Sequence, residues 1–331
     1  MGKDFTEAVR IVVIQTAFFG DCILTLPLLN TLKDQLDCSL SVVCRPEYRD
    51  IFTSCGSVDE IIEFDKGGRE GLFSIVEKLR KRGFDTAFLP QRSFRSGLIS
   101  LLAGIKKRIG FRRGGARLFS THRIEYDWNL HDMERLLTLA SLSGISEFTY
   151  EFRLDPDESL VQKYRNEFDS DRNKIIGIFP DSEWPTKRWP TEKYLELVNN
   201  IKNRYSIVLI GSQKAEFKAE SVIDMTSRTS VREVIALVSI LDTCISNDSG
   251  LIHLAAAFKI PVLAIFGPTV PEMGFYPWGN VHEIVQNSNL RCRPCSLHGP
   301  RECPEKHFFC MNEISVSDVE NVLNRMLEKV K

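Results

Sequence analysis

The chain predicts an α/β fold made of two parallel-sheet halves, on three observations. Short apolar runs alternate with longer amphipathic segments along its whole length, which is the rhythm of βαβ units. That rhythm restarts near Asn173, after a polar and charged stretch over 155–172. In the second half, segment 247–257 sets small polar residues at the start of an alanine-rich helix, and 261–269 reads as a buried strand ending in Gly-Pro-Thr. Helix N-termini favour anions, and loops at the carboxyl edge of an open α/β sheet are where ligands bind. A nucleotide diphosphate suits such a place.

In the first half, strands are expected over 11–16, 40–44, 60–64, 86–89 and 108–111, with helices after most of them. In the second half they fall at 174–179, 206–210, 243–246, 262–266 and 282–285. Asp155-Pro156-Asp157 is a helix-start signal, and a helix rich in charge is expected after it. The boundary is placed there, giving domains over 1–155 and 173–331 with 156–172 as linker. Ile314, Val316, Val319, Val322, Leu323 and Leu327 mark a capped amphipathic terminal helix. No internal repeat or low-complexity tract stands out.

A length of 331 residues exceeds one ordinary core and suits two domains. Hydrophobic residues at 43% and charged residues at 26% are those of a soluble globular protein, and a net charge of -1 gives no general pull toward nucleic acid. The early run 11–14 is interrupted by Gln15, Thr16 and Asp21, so it reads as a first strand and not as a signal peptide or membrane span. No Gly-x-Gly-x-x-Gly follows that strand, which counts against a dinucleotide cofactor.

Of the nine cysteines, Cys22, Cys38, Cys44, Cys55 and Cys244 lie in apolar or strand-like surroundings and read as buried thiols of a reducing cytoplasm. Cys292, Cys295, Cys303 and Cys310 crowd into one loop with His298 and His307 nearby. Cys-x-x-Cys with two further thiols is an acceptable zinc set, although six residues separate the last pair. Free thiols, a structural metal and disulfides all remain open.

The first strand runs into a tight turn with Gly20 and Asp21 at the head of a helix. Asp21 reads either as a cap or as a general base toward a sugar hydroxyl. As a base it needs burial or a neighbouring charge to offset the helix N-terminus, which lowers a carboxyl pKa. Lys187 and Arg188 stand between Trp184-Pro185 and Trp189-Pro190, a cationic pair suited to a diphosphate, or else part of a surface loop with aromatic packing. Asp248 could cap a strand end, while Ser249 and Gly250 offer a hydroxyl and backbone N–H groups, and Thr269 offers a further hydroxyl. His253 reads as a packed helix residue. Glu216 follows a strand and could accept ribose hydroxyls, with Glu220 as its competitor. Lys106, Lys107, Arg108, Arg112, Arg113, Arg117 and Arg123 have no acidic residue among them. They form either a solvated basic loop or a face for anionic headgroups or a phosphorylated acceptor. Arg92 and Arg95, after the fourth strand, could join that half.

Four ordered segments, Gly20-Asp21, Lys187 to Pro190, Asp248 to Gly250 and Gly267 to Thr269, resemble glycosyltransferase family 9, the ADP-heptose:lipopolysaccharide heptosyltransferases. The resemblance covers Ile11 to about Val322. It implies the GT-B fold, two Rossmann-like domains facing a cleft, with the acceptor bound by the first and the nucleotide sugar by the second. It further implies Asp21 as base and Lys187 on the donor phosphates, so that these two are the catalytic pair. Arg188, Glu216, Asp248, Ser249, Gly250 and Thr269 complete the donor site, and Gly20, Arg92, Arg95, Arg112 and Arg113 meet the acceptor. His131, Glu134 and Arg135 match a family His-x-x-Glu-Arg pattern and read as structural.

The implied reaction is inverting and metal-independent, needs no cofactor, and moves L-glycero-D-manno-heptose from its ADP-activated form to the phosphorylated lipid A and inner core of lipopolysaccharide. Domain closure would exclude water. The implied location is cytoplasmic, with a peripheral contact at the inner membrane compatible with the basic residues. The cysteine loop suggests kinship with the branch that adds the second heptose. Two alternatives remain: another nucleotide sugar or surface glycan acceptor, and a non-catalytic nucleotide-binding protein of the same fold. Retention of both Asp21 and Lys187 favours an enzyme.

Overall fold

The structure, a computed structural model, describes residues 8–67, 71–168, 174–279 and 281–329. The chain divides into two units, Met1–Asp155 and Pro156–Lys331. The first contains β1 (Val9–Ile14), α1 (Phe19–Gln35), β2 (Cys38–Cys44), α2 (Arg49–Thr53), β3 (Glu60–Glu63), α3 (Leu72–Arg82), β4 (Thr86–Leu89), α4 (Phe94–Leu102), β5 (Lys107–Phe111), β6 (His122–Ile124) and α5 (Asp132–Ser141). The second contains α6 (Glu158–Phe168), β7 (Ile175–Phe179), α7 (Thr191–Ile201), β8 (Ser206–Leu209), β9 (Val222–Asp224), α8 (Val231–Ser239), β10 (Thr243–Asn247), α9 (Gly250–Ala257), β11 (Val262–Phe266), β12 (His282–Gln286), α10 (Phe309–Asn312) and α11 (Val316–Lys329).

Both sheets are parallel and six-stranded among the described residues, ordered β3-β2-β1-β4-β5-β6 and β12-β11-β10-β7-β8-β9. Read from its own first strand, each follows the doubly wound order 3-2-1-4-5-6. The repeat is one of topology, invisible in the sequence. In each unit the order reverses beside the first strand, between β1 and β4 and between β7 and β10, and the crevice at the carboxyl ends of those strands is the expected ligand position.

The central strands are short β-branched runs buried on both faces: Ile11 to Ile14 of β1 and all of β10 and β11 are inaccessible. Helix α1 is buried continuously from Cys22 to Leu32, and its polar Asn30 and Thr31 find partners in the 149–151 segment, Asn30 Nδ2 reaching the Glu151 carbonyl at 2.7 Å. The outer helix α11 buries one stripe only, Val316, Val319, Leu323, Met326 and Leu327. In the second unit α7 and α11 close the core through Tyr194, Leu197, Val319 and Leu323.

Two strands escape sequence reading, β6 and β9. Each has three residues, lies at a sheet edge and shows no buried position. The first strand sits two residues earlier than expected, although the Gln15 N–H still donates to the Val43 carbonyl at 2.9 Å. The segment 156–172, expected as a linker, carries α6 within the second unit. Val161, Tyr164 and Phe168 are buried, and the Tyr164 hydroxyl donates to Glu233 at 3.1 Å. Residues 169–173 lie outside the described residues, and with them the end of that expected linker.

Candidate functional site

At the switch point of the first sheet, β1 ends and the chain turns at Thr16–Phe18 into α1. Phe18, not Asp21, is the helix N-cap. Asp21 sits at the third helical position and its Oδ2 accepts the Phe18 N–H at 3.2 Å, half of a capping box. Gly20 lies in the same first turn. The Asp21 carboxyl is pushed up to about 6, chiefly by burial and then by the Asp132 charge, with the Phe18 N–H and Arg92 pulling the other way. A carboxylate with that pKa is ionised at neutral pH yet more basic than an ordinary aspartate.

Asp132 belongs to a polar cluster that sequence reading missed. The Tyr126 hydroxyl donates to Asp132 Oδ1 at 2.5 Å, and Arg135 Nη1 lies 3.3 Å from the same oxygen. The guanidinium of Arg92 stacks on the Tyr126 ring at 4.2 Å, and that of Arg135 at 4.8 Å. His131 caps α5, its Nδ1 accepting the Met133 N–H at 3.2 Å, and Glu134 accepts the His131 N–H at 3.0 Å. Arg135 is 1% exposed and donates to the Asp127 and Trp128 carbonyls. The His-x-x-Glu-Arg residues thus build the fold around Asp132.

Two further cations frame the loop. Lys66 Nζ donates to the Thr16 carbonyl at 2.7 Å and Arg45 Nε to the same oxygen at 3.1 Å. Burial, with Arg45 and Arg95 nearby, lowers Lys66 to about 8. Arg95 is exposed and reaches the Lys66 carbonyl at 3.4 Å. Arg92 and Arg95 therefore gather at this edge. Arg112 instead pairs with Glu125 at 3.2 Å, and Arg113 is exposed beside it. Arg45 and Lys66 gave no motif in sequence, since each is a lone cation just after a strand.

The second switch point gathers the other expected residues. A 3-10 turn over Pro185–Lys187 follows β7 and aims Lys187 Nζ to 2.6 Å from Asp248 Oδ2. Thr269 Oγ1 donates to the same oxygen at 2.5 Å. The Lys187 and Asp248 side chains are 12% and 6% exposed, so this is a buried, hydrogen-bonded pair. Ser249 is the N-cap of α9, its Oγ lying 3.2 Å from Ser246 Oγ, and Gly250 opens the helix. Asn247, also missed in the sequence, ties the parts together: its Oδ1 accepts the Trp189 N–H at 2.9 Å and the Tyr194 hydroxyl at 3.0 Å, and its Nδ2 donates to the Pro180 carbonyl at 2.8 Å. His253 is 5% exposed, as a packed helix residue should be.

Beside this cluster lies an open pocket lined by Asp181, Arg188, Trp189, Gln213, Glu216 and Phe217, among others. Glu216 is exposed at the pocket and accepts the Thr191 hydroxyl at 3.2 Å, whereas Glu220 is not among the lining residues. Arg188 is held by its own loop, donating to the Ser182 carbonyl at 2.9 and 2.7 Å and to Gln213 at 3.0 Å. Asp181 Oδ2 accepts from Ser212 and from the Gln213 N–H, while its buried Oδ1 makes no hydrogen bond and lies 3.4 Å from Arg188.

The cysteine loop braces the Gly267–Thr269 segment. Arg293, which no sequence signal singled out, donates to the carbonyls of Gly267, Phe266, Asn287 and Thr269, the last at 2.8 Å. The Cys295 N–H donates to the Pro268 carbonyl at 2.8 Å. A Cβ on Gly299 would come within 3.3 Å of Lys187 Cγ, and Gly267 leaves no room for a side chain, since a Cβ there would come within 2.6 Å of Met311. Cys310 is pushed up to about 11 by burial, and burial also raises Cys295. Among the described residues no three His, Cys, Asp or Glu side chains are arranged to hold a metal ion. None of the described helices is long and apolar enough to cross a membrane.

Two doubly wound units with polar groups converging at each switch point define a protein of the GT-B class. Residues 72–307 match glycosyltransferase family 9 (heptosyltransferase), and the chain belongs to that family. It is therefore a glycosyltransferase. It is 28% identical over 296 residues to lipopolysaccharide heptosyltransferase 2 of Escherichia coli K12, covering 80% of this chain and 84% of that protein. To lipooligosaccharide heptosyltransferase 2 of Campylobacter jejuni serotype O:2 it is 23% identical over 334 residues, covering 96% and 98%. Its fold matches that of E. coli ADP-heptose lps heptosyltransferase II with a TM-score of 0.79 at 24% identity, over 97% of this chain and 99% of that one. It matches E. coli heptosyltransferase WaaC with ADP at 0.73 and 18% identity, over 96% and 100%.

Proposed function

We propose that this protein transfers heptose from ADP-L-glycero-D-manno-heptose to the inner core of lipopolysaccharide with inversion at the anomeric carbon. The observation that carries the reading is the Lys187–Asp248 pair, 2.6 Å apart at the head of α9. It holds an ammonium beside a helix N-terminus, where a diphosphate leaving group gathers charge. The names of the similar heptosyltransferases, and the ADP-bound state of one structural relative, support the donor and the acceptor class.

On this reading the acceptor hydroxyl oxygen attacks the anomeric carbon and its proton passes to Asp21. The bond from that carbon to the β-phosphate oxygen breaks, and ADP departs with the electron pair. Lys187, the Ser249 hydroxyl and the Gly250 N–H stabilise the departing charge, with Thr269 and Asp248 setting the lysine. Glu216 and Arg188 bound the nucleoside pocket. The first domain, 1–155, takes the phosphorylated acceptor through Gly20, Arg92, Arg95, Arg112 and Arg113. The protein works at the cytoplasmic face of the inner membrane as a peripheral enzyme.

The test is transfer from ADP-heptose to purified lipid acceptors bearing no heptose or one, with product mass and ADP release followed together. Transfer to either assigns the step. Absence of transfer together with absence of competition by ADP removes heptose as the donor sugar. Asp21→Ala abolishes transfer and leaves donor affinity nearly intact on this reading, and unchanged turnover removes Asp21 from it.

A further inference from the structure

One face of the first unit is apolar and cationic at once. On α4, Phe94 and Leu101 are 52% and 42% exposed, with half-buried Leu98 between them, at i, i+4 and i+7 along one helix face. The 3-10 turn Gly115–Leu118 lies against the start of that helix. There Phe119 meets Phe94 edge-on at 4.9 Å, and a Cβ on Gly115 would come within 2.6 Å of Phe94. Leu118, at the end of this close-packed turn, is 67% exposed. The apolar side chains are therefore held outward by a rigid support.

The charge around them has one dominant sign. Arg95, Arg113, Arg117 and Arg123 are exposed, and no acidic residue occurs from Lys106 to Arg123 although the whole chain has a net charge of -1. Just beyond that run Glu125 pairs with Arg112 at 3.2 Å. Protruding leucine and phenylalanine side chains rimmed by guanidinium groups match the boundary of an anionic bilayer, apolar atoms entering below the headgroups and cations meeting the phosphates.

We infer that this α4 and Gly115–Phe119 face docks the protein on anionic phospholipid, with Phe94, Leu101 and Leu118 as the inserting side chains. The inference deepens the reading of a lipid-borne acceptor and rests on it, but its test needs no sugar nucleotide. The full chain is sedimented with vesicles of phosphatidylglycerol and phosphatidylcholine in equal parts, and with phosphatidylcholine alone. Binding is expected to the anionic vesicles and to fall as salt is raised. Leu118→Ser should weaken it about tenfold, and Arg117→Gln and Arg123→Gln about fivefold each. Leu118→Ser should leave transfer to a deacylated, water-soluble acceptor unchanged.

Failure of wild-type protein to sediment with anionic vesicles overturns the inference, as does variant binding equal to wild type. Vesicle binding without heptose transfer would instead leave the surface standing and refute the donor assignment.

Discussion

Replacing Asp21 by Asn should stabilise the first unit while removing transfer, because the fold carries an ionised carboxylate it does not favour. Burial and Asp132 push the carboxyl from 3.8 to about 6. At about 1.4 kcal/mol per unit, ionising this group costs the folded state about 3 kcal/mol more than the unfolded one. Asp21 keeps some solvent contact, and screening reduces this to roughly 1–2 kcal/mol. The sign comes from proton counts. Between the ordinary carboxyl pKa and about 6 the native state holds a proton that the unfolded chain has lost, so wild-type stability declines as pH rises through that window. The asparagine variant lacks this decline and can still accept the Phe18 N–H. Thermal unfolding of the full chain should show the variant melting roughly 3–6 °C above wild type near pH 8, and level with it near pH 4. Transfer should fall about a hundredfold or more. An equal melting temperature near pH 8, or the same gain at both pH values, would refute the argument that ionisation of a desolvated Asp21 destabilises the fold.

Three other outcomes are expected from the same geometry. The acid limb of kcat/KM should have its midpoint near 6, and Asp132→Asn, which can still accept the Tyr126 hydroxyl, should move that midpoint down by about half a unit; a pH–rate profile with an unmoved midpoint would exclude electrostatic tuning by Asp132. Lys187→Ala should cost the second unit about 3 kcal/mol in urea unfolding, because it strands the Asp248 carboxylate, and Lys187→Ala with Asp248→Ala should recover much of that loss. Titration with ADP should show weakened binding in both. Gly267→Ala should destabilise by about 1–3 kcal/mol, its new methyl meeting buried Met311, with chemical denaturation as the measurement.

The sequence exposes features that depend on short-range pattern. All ten expected strands appear, because each is a short apolar run between polar turns. The edge strands β6 and β9 do not announce themselves, since three-residue strands with no buried position carry no alternation. Helix α6 is expected in the sequence as a charge-rich helix but assigned to a linker, because its charge hides the buried stripe of Val161, Tyr164 and Phe168. At the sites, Asp21, Lys187, Asp248 and Thr269 are legible as candidates, because turn chemistry marks their segments and the family resemblance assigns their roles. Asp132, Asn247, Arg45, Lys66 and Arg293 are not, because their importance lies in long-range partners: Asn247 bridges to residues 53 and 67 positions away, and Lys66 reaches a carbonyl 50 positions away. The basic run is visible, but the solvent-facing Phe94 and Leu118 that give it a second character are not distinguishable from core residues by sequence alone.

Both units use one strand order, yet their switch points carry opposite electrostatics, and the difference traces to the segment after the first strand of each. After β1 the chain enters a helix within a few residues, so the third helical position places a carboxylate at the crevice, and cations from after β2, β3 and β4 gather around it. Its charge is desolvated rather than paired, which keeps it able to take a proton. After β7 the chain first makes a proline-led turn, and this longer excursion brings Lys187 back over β10. That cation is buried against an opposite charge, Asp248, which an incoming anion would have to displace. One topology thus sets a desolvated carboxylate at one switch point and a paired ammonium at the other. Exchanging the roles by mutation would require moving the turn as well as the side chain: Asp21→Lys would set an ammonium at a positive helix N-terminus among Arg45, Lys66 and Arg92, with no carboxylate placed to hold it as Asp248 holds Lys187.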